Sequence, residues 1–223
     1  MPHLKLEHAL WKKHCGSAQD YALAFDEAGR GPLFGPVTVG AFVIHPKSLE
    51  TLKLLAKRTP IEDSKKLSPR ERESSYQLMQ KFLLLWHFHT AVWYINQYNI
   101  NQAIYYAMAR LISKGLRYFQ KPPLFLLADG NYRFQFPYPY YAEVRGDTSA
   151  LSLAAASLAA KVERDKLLMR CAERYAVYGI SQNKGYATKF HREALRRHGP
   201  TRLHRRAYLR QILDPLILQN RQK

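Results

Sequence analysis

Phe25-Asp26-Glu27-Ala28-Gly29-Arg30-Gly31-Pro32-Leu33-Phe34-Gly35-Pro36 is the stretch from which the rest of the chain can be read. An apolar run, residues 21–25, leads into it and a second β-rich run, 37–44, leaves it, so an antiparallel pair joined by a Gly/Pro-rich turn is expected. Two adjacent carboxylates at a strand end suit a divalent cation, which takes hard oxygen ligands. Gly29 and Gly31 let backbone come close to a ligand, and Arg30 can hold a phosphate. Adjacent strand residues point to opposite faces, so Glu27 joins Asp26 only if the chain bends there, which the glycines permit. Taken alone, the stretch fits a hairpin with solvated acids equally well.

Working outward, 223 residues suffice for one sizeable core. Hydrophobic residues make up 47% of the chain and charges are spread throughout it, as in an ordinary globular protein. The formal charge of +18 is not ordinary: such a field draws polyanions, nucleic acid first and an anionic membrane second. Residues 161–223 carry about +11 of that charge, so the C-terminal part is the electrostatic footprint. Cys15 and Cys171 are far apart and in no metal-binding spacing, which points to free thiols in a reducing compartment. The first twenty residues lack the apolar core of a signal peptide. The longest stretch free of Lys, Arg, Asp and Glu, 82–109, is too rich in His, Asn and Gln to span a membrane. The expectation is a cytoplasmic protein, monomeric and without membrane contact.

Residues 1–18 are expected as an N-terminal extension and 19–223 as one domain with a basic helical C-terminal region from about 176. Helices are expected near 49–58, from Ser68 as N-cap with Pro69 at the first position to about 81, and from Asn99 or Asn101 to 118. Strands are expected at 83–94, at the continuous apolar run 124–128, and at 141–144. A strong helix covers 149–175, uncharged through its first half, and shorter ones lie near 188–198 and 205–213. This is an α/β domain: a mixed central sheet flanked by helices, with a helical C-terminal portion.

Three acidic positions then share one description. Asp26 and Glu27 end the first strand, Asp129 ends the buried strand, and Asp147 precedes the long helix, whose dipole favours its ionised form. Each alone is ordinary, Asp129-Gly130 as a turn and Asp147 as a helix cap. Together at one sheet edge they form an oxygen-ligand site. Clustered acids would repel each other and a nucleic acid alike, so a basic protein with such a cluster points to metal. Two divalent ions about 3.5–4 Å apart could activate a water and stabilise a leaving oxygen in phosphodiester hydrolysis. No G-x-S-x-G elbow, phosphate-loop or dinucleotide fingerprint is present. His87 and His89 share a strand face and fit sheet packing better than a ligand pair. A non-catalytic duplex binder and a resolvase-like nuclease remain open as alternatives.

These residues resemble ribonuclease HII, the type 2 ribonucleases H. The resemblance rests on Asp26-Glu27-Ala28-Gly29-Arg30-Gly31-Pro32-Leu33, Asp63-Ser64-Lys65-Lys66-Leu67-Ser68, Asp129-Gly130-Asn131, Gly146-Asp147 and Leu151-Ser152-Leu153-Ala154-Ala155-Ala156-Ser157 with Ala160-Lys161-Val162. It continues through Asn183-Lys184-Gly185-Tyr186-Ala187-Thr188 and His198-Gly199-Pro200-Thr201 to His204-Arg205-Arg206. It implies an RNase H-like fold and hydrolysis of the RNA strand of RNA–DNA hybrids. It also implies incision of DNA duplexes 5′ of embedded single ribonucleotides, leaving a 3′-hydroxyl and a 5′-phosphate. Asp26, Glu27, Asp129 and Asp147 match the catalytic, metal-binding positions, with Mg²⁺ or Mn²⁺, two ions in the active complex, as cofactor. Gly29-Arg30-Gly31 matches the motif that senses the 2′-hydroxyl, the group that distinguishes RNA from DNA. Tyr186 matches the tyrosine that packs on the next deoxyribose. Ser64, Lys65 and Lys66 look like a phosphate pocket, and Arg145, Lys184, Arg205 and Arg206 are expected on the duplex backbone. Ser149 stands where many relatives carry a basic residue, and Arg30 argues against the sister type, ribonuclease HIII. No motif for a replication clamp is readable after Arg210.

Overall fold

The computed structural model describes residues 2–62, 64–210 and 212–213. Asp63 and the tail from 214 therefore lie outside the described residues. In chain order the elements are α1 (Lys5–Lys13), β1 (Ala22–Ala28), β2 (Val37–Ile44), α2 (Pro46–Leu55), α3 (Pro69–Gln80), β3 (Leu85–Thr90), α4 (Val92–Tyr98) and α5 (Ile100–Phe119). They continue with β4 (Leu126–Asp129), β5 (Tyr140–Glu143), α6 (Gly146–Ser149), α7 (Leu151–Ala172), α8 (Ile180–Asn183), α9 (Lys189–His198) and α10 (Arg206–Leu209). The strands form one sheet in the order β3-β2-β1-β4-β5, antiparallel across the first three and parallel from β1 through β4 to β5. This is the mixed sheet expected, with an RNase H-like fold.

Period-two alternation in β1 and β2 sorts the core into two layers. Tyr21, Leu23, Phe25, Val37, Val39, Ala41 and Val43 pack toward α5, against Ala103, Ile104, Ala107, Met108 and Leu111. Ala22, Ala24, Phe42 and Ile44 pack on the other face, under α7. The small residues of α7 let it lie close: a Cβ at Gly40 of β2 would meet the Ala156 carbonyl oxygen at 2.2 Å. Because α7 has almost no charge over its first ten residues and all ten are buried, it is the central helix of the fold.

Local signals account for most boundaries. Ser68 and Glu71 form a reciprocal capping box at α3, and Asn99 accepts the N–H groups of Asn101 and Gln102 to start α5. One expected strand end is corrected: β3 stops at Thr90, and 92–98 is helical. The aromatic and β-branched composition of that stretch favours a strand, but Val92 and Ile95, three apart, are its buried pair, which is a helical spacing. The helix expected at 205–213 is only the four residues of α10.

Residues 2–18 are bound into this core. Leu4 and Leu10 join the layer under α7, and the fully buried Glu7 accepts the Ser152 N–H at 2.8 Å, satisfying a free donor in the first turn of α7. His3 adds backbone bonds to Ser149 and Leu151. At the other end, Leu33 and Phe34 from the turn after β1 pack with Leu168, Tyr178, Ile180, Leu195 and Leu209, so the C-terminal helices are built onto that turn. Among the described residues no helix is long and apolar enough to cross a membrane.

Candidate active site

The parallel pairing of β1 with β4 sets Phe25 opposite Ala128, and so brings Asp26 and Asp129 side by side at one edge of the sheet. Asp147 arrives from the first turn of α6. One carboxylate oxygen from each of Asp26, Asp129 and Asp147 lies within 4.8 Å of the others. The Gly146 N–H donates to Asp129 Oδ1 at 2.6 Å, tying the start of α6 to the end of β4. The Glu27 N–H donates to Asp26 Oδ1 at 2.7 Å. Burial, then the charges of Glu27 and Asp129, push the Asp26 carboxyl well above its usual range, with the Ser157 hydroxyl opposing. The like charges in this cluster repel one another. Three converging carboxylate oxygens match the hard-ligand chemistry of Mg²⁺ or Mn²⁺, so these residues fit a divalent ion.

Glu27 is not in this cluster. β1 stays in register with β2 through Glu27 opposite Val39 and Ala28 opposite Thr38, so the chain does not bend there and alternation carries Glu27 to the other face. On that face Tyr132 donates to Glu27 Oε1 at 2.5 Å. The Tyr132 hydroxyl also accepts from Arg30, whose second guanidinium nitrogen reaches Asn101 Oδ1 at 3.0 Å. The Tyr132 ring is stacked on Phe134, with 4.9 Å between centroids. One hydroxyl thus bridges the fourth acid and the arginine of the glycine turn. Burial raises Glu27 to about 7, against the stabilising Tyr132 and Arg30.

Tyr132 was not singled out from sequence. Its signal is the alternation Tyr132, Phe134, Phe136, Tyr138, Tyr140, whose rings face the α5 layer although 131–138 is not a strand.

The other expected residues divide. Tyr186 is exposed, in a turn whose Gly185 carbonyl accepts the Leu33 N–H at 2.8 Å, so it stands next to the glycine turn. Ser64 is buried, with its hydroxyl 3.0 Å from Ser157, which in turn bonds Asp26; it supports the cluster from behind, while Lys65 and Lys66 are exposed beside it. Arg145 and Arg206 are exposed, Arg145 with left-handed backbone just before Asp147. Lys184 donates to the Ser181 carbonyl at 2.6 Å. Arg205 is corrected: it is fully buried and donates to backbone carbonyls, so its guanidinium does not face a duplex. A groove of about 600 Å³ includes none of the four carboxylates in its lining, where Lys161, Lys166, Arg170 and Lys184 alternate with Glu73 and Asp165.

The sequence model of ribonuclease HII matches residues 23–211, which include the three clustered acids, the glycine turn and Tyr186. The chain belongs to the ribonuclease HII family. Ribonuclease HII of Alkaliphilus metalliredigens is 38% identical over 216 residues, covering 96% of this chain and all of that protein. The fold is similar to that of the RNase HII in the PCNA:RNase HII complex from Archaeoglobus fulgidus, with a TM-score of 0.65 and 22% identity over 83% of this chain and 93% of that one. It is also similar to Bst-RNase HIII in complex with Mn²⁺, with a TM-score of 0.64 and 14% identity over 85% of this chain and 66% of that one. As a ribonuclease HII family member the chain is a nuclease with ribonuclease H activity, and its substrates are RNA–DNA duplexes.

Proposed function

We propose that the chain is a metal-dependent endonuclease that hydrolyses the RNA strand of RNA–DNA hybrids. In the same reading it incises DNA duplexes 5′ of a single embedded ribonucleotide, leaving a 3′-hydroxyl and a 5′-phosphate. The observation that carries this is the three-carboxylate cluster at the end of β1, the strand that leads directly into the Gly29-Arg30-Gly31 turn, with the exposed Tyr186 in a turn bonded to Leu33. Asp26, Asp129 and Asp147 would hold Mg²⁺ or Mn²⁺, with Glu27 as the fourth acid across the strand. Divalent ions bound there supply a nucleophilic water and neutralise charge at the leaving oxygen.

The protein's own groups do the rest. The glycine turn offers backbone to the ribose 2′-hydroxyl, and the Tyr186 ring leaves no room for a hydroxyl on the next sugar. The Asn101 and Tyr132 bonds hold Arg30 at the edge of the site. Exposed Lys65, Lys66, Arg145 and Arg206 attract the phosphates without reading sequence.

The test is a labelled DNA duplex carrying one ribonucleotide, incubated with Mg²⁺, with Mn²⁺ and with chelator. Incision 5′ of the ribonucleotide is expected with either ion and none with chelator. Binding without incision would favour the non-catalytic binder, and incision of an all-DNA junction but not of this duplex would favour the resolvase.

The raised carboxyls also predict a pH dependence. A carboxyl held at about 7 in the fold and near 4.5 when unfolded takes up a proton on folding between those values. Its contribution to stability is therefore present below about 4.5 and lost as pH rises to about 7. His89 and His204, pushed down to about 4 and about 3 by burial, act in the opposite direction, so the total slope does not isolate Glu27. The difference in melting temperature between wild type and Glu27→Gln, measured in chelator, cancels the histidine contributions and leaves that of Glu27 with its effect on Asp26. That difference should fall as pH rises from 4.5 to 7 and flatten above; a flat or rising difference refutes the raised carboxyl.

A further inference from the structure

Arg164 of α7 and Arg205 before α10 are among the largest fully buried side chains in the protein, and among the described residues neither forms an ion pair. Burying a guanidinium without a carboxylate is unfavourable unless its donors are taken up. Here five of the six guanidinium nitrogens donate to backbone carbonyls, while Arg205 Nη2 is buried without a partner among the described residues. Arg164 donates through Nε to the Pro36 carbonyl (3.1 Å), through Nη2 to Phe34 (3.2 Å) and through Nη1 to Lys184 (3.2 Å). Arg205 donates through Nε to the Gly35 carbonyl (3.0 Å) and through Nη1 to Arg30 (2.9 Å). Four of those five carbonyls belong to the glycine turn and its continuation. The fifth belongs to the Lys184-Gly185-Tyr186 turn.

We propose that Arg164 and Arg205 are positioning residues that fix the spacing between the glycine turn and Tyr186. Through that spacing they set how strongly a single ribonucleotide in DNA is preferred over a continuous RNA strand. This rests on the function proposed above, in which the glycine turn faces the ribose and Tyr186 the following deoxyribose. The planar guanidinium of Arg164 presents its donors at fixed separations, and of the two arginines it is the one that bonds both segments, bracing the direct Leu33 and Phe34 N–H bonds to the Gly185 carbonyl with a rigid group. The turn is packed directly on it. Gly29 has φ +90°, and a Cβ there would lie 2.0 Å from Arg164 Nε. The second segment touches the first at the same joint, where a Cβ on Gly185 would lie 2.5 Å from the Phe34 carbonyl oxygen. With the Arg30, Phe34, Gly35 and Pro36 carbonyls turned inward, the recognition face of the turn is pre-organised before substrate arrives. Positioning errors of about 1 Å can cost on the order of 100-fold in rate, so slack at this joint reads out as lost discrimination.

The experiment compares the full chain with Arg164→Lys and with Gly185→Ala, the first keeping the charge without the fork and the second prying the joint from the other side. Incision efficiency, kcat/KM, is measured on two labelled duplexes, one with a single ribonucleotide in DNA and one with a wholly RNA strand, and folding is checked by thermal melting. The ratio of single-ribonucleotide to hybrid efficiency should fall about tenfold or more in each variant, in the direction expected of Tyr186→Ala. An unchanged ratio in a folded variant, even with both efficiencies lowered, overturns the proposal and makes the arginines ordinary framework. Should Arg164→Lys fail to fold, the ratio in Gly185→Ala decides by the same criterion. Wild type that cuts neither duplex would instead remove the proposed function itself, a result distinguishable from variants that cut with an unaltered ratio.

Discussion

Asp129→Asn should lower incision at least about 100-fold at saturating Mg²⁺ or Mn²⁺ while leaving duplex binding nearly intact. Even partners outside the ligand shell cost about 10–100-fold in affinity or activity when removed, and Asp129 is one of the three acids whose oxygens converge. The substitution is structurally mild. An Asn oxygen can still accept the Gly146 N–H, which now bonds Asp129 Oδ1 at 2.6 Å, so the link between β4 and α6 survives. Neutralising Asp129 also relieves its repulsion of Asp26 and Glu27, both of which it raises. The metal-free variant should therefore melt no lower than wild type. Anisotropy with a labelled duplex in chelator measures binding; parallel loss of binding and cleavage would show that Asp129 holds the fold rather than a cation.

Gly40→Ala should be the most damaging small change to stability. Glycine inside a strand often marks a close backbone approach, and here the approach is by α7. The added carbon would stand 2.2 Å from the Ala156 carbonyl oxygen and 2.6 Å from the Ala160 nitrogen. Both neighbours are backbone, so no side chain can rotate away and α7 must shift. Overpacking of this kind costs about 1–3 kcal/mol, and rigid neighbours place Gly40 at the top of that range. For a chain of this size, about 3 kcal/mol lowers the melting temperature by roughly 6–12 °C. A melting temperature within about 1 °C of wild type would mean that α7 does not lie where described. Because Ser157, on the same helix, bonds Asp26, metal affinity should weaken as well.

What could be read from residues alone was set by short-range physics. β1 and β2 were legible because an apolar run and a β-rich run flank a Gly/Pro-rich turn, and α3 because Ser68 and Pro69 write a helix start in consecutive positions. Asp129 was legible only in company, since Asp129-Gly130 alone is an ordinary turn and it is the other strand-end and helix-start acids that give it a use. The side of the strand on which Glu27 lies was not, since only the unbroken ladder from Asp26 to Ala28 decides between a bend and plain alternation. Residues 92–94 misled because composition favoured a strand while burial followed helical spacing. Tyr132 carries only the ring alternation of residues 132–140 as a local signal and Arg164 none: their partners are 105 residues away at Glu27 and 128 away at Pro36. Arg205 was misplaced on the surface because a basic run near the C-terminus usually is solvated, and only the fold puts five carbonyls around two guanidiniums.

The clasp between Glu7 and the first turn of α7 has a temporal side. The two partners are 145 residues apart. Ribosomes add about 5–20 residues per second, so α1 emerges roughly 7–30 s before the donor it satisfies. Through that interval Asp26 is present without Asp147, and β1 without its parallel neighbour for much of it. A growing chain or a fragment cut short of α6 contains no three-acid cluster, however well its hairpin of β1 and β2 forms. The cluster becomes possible only once about two-thirds of the chain, through Asp147, has left the ribosome.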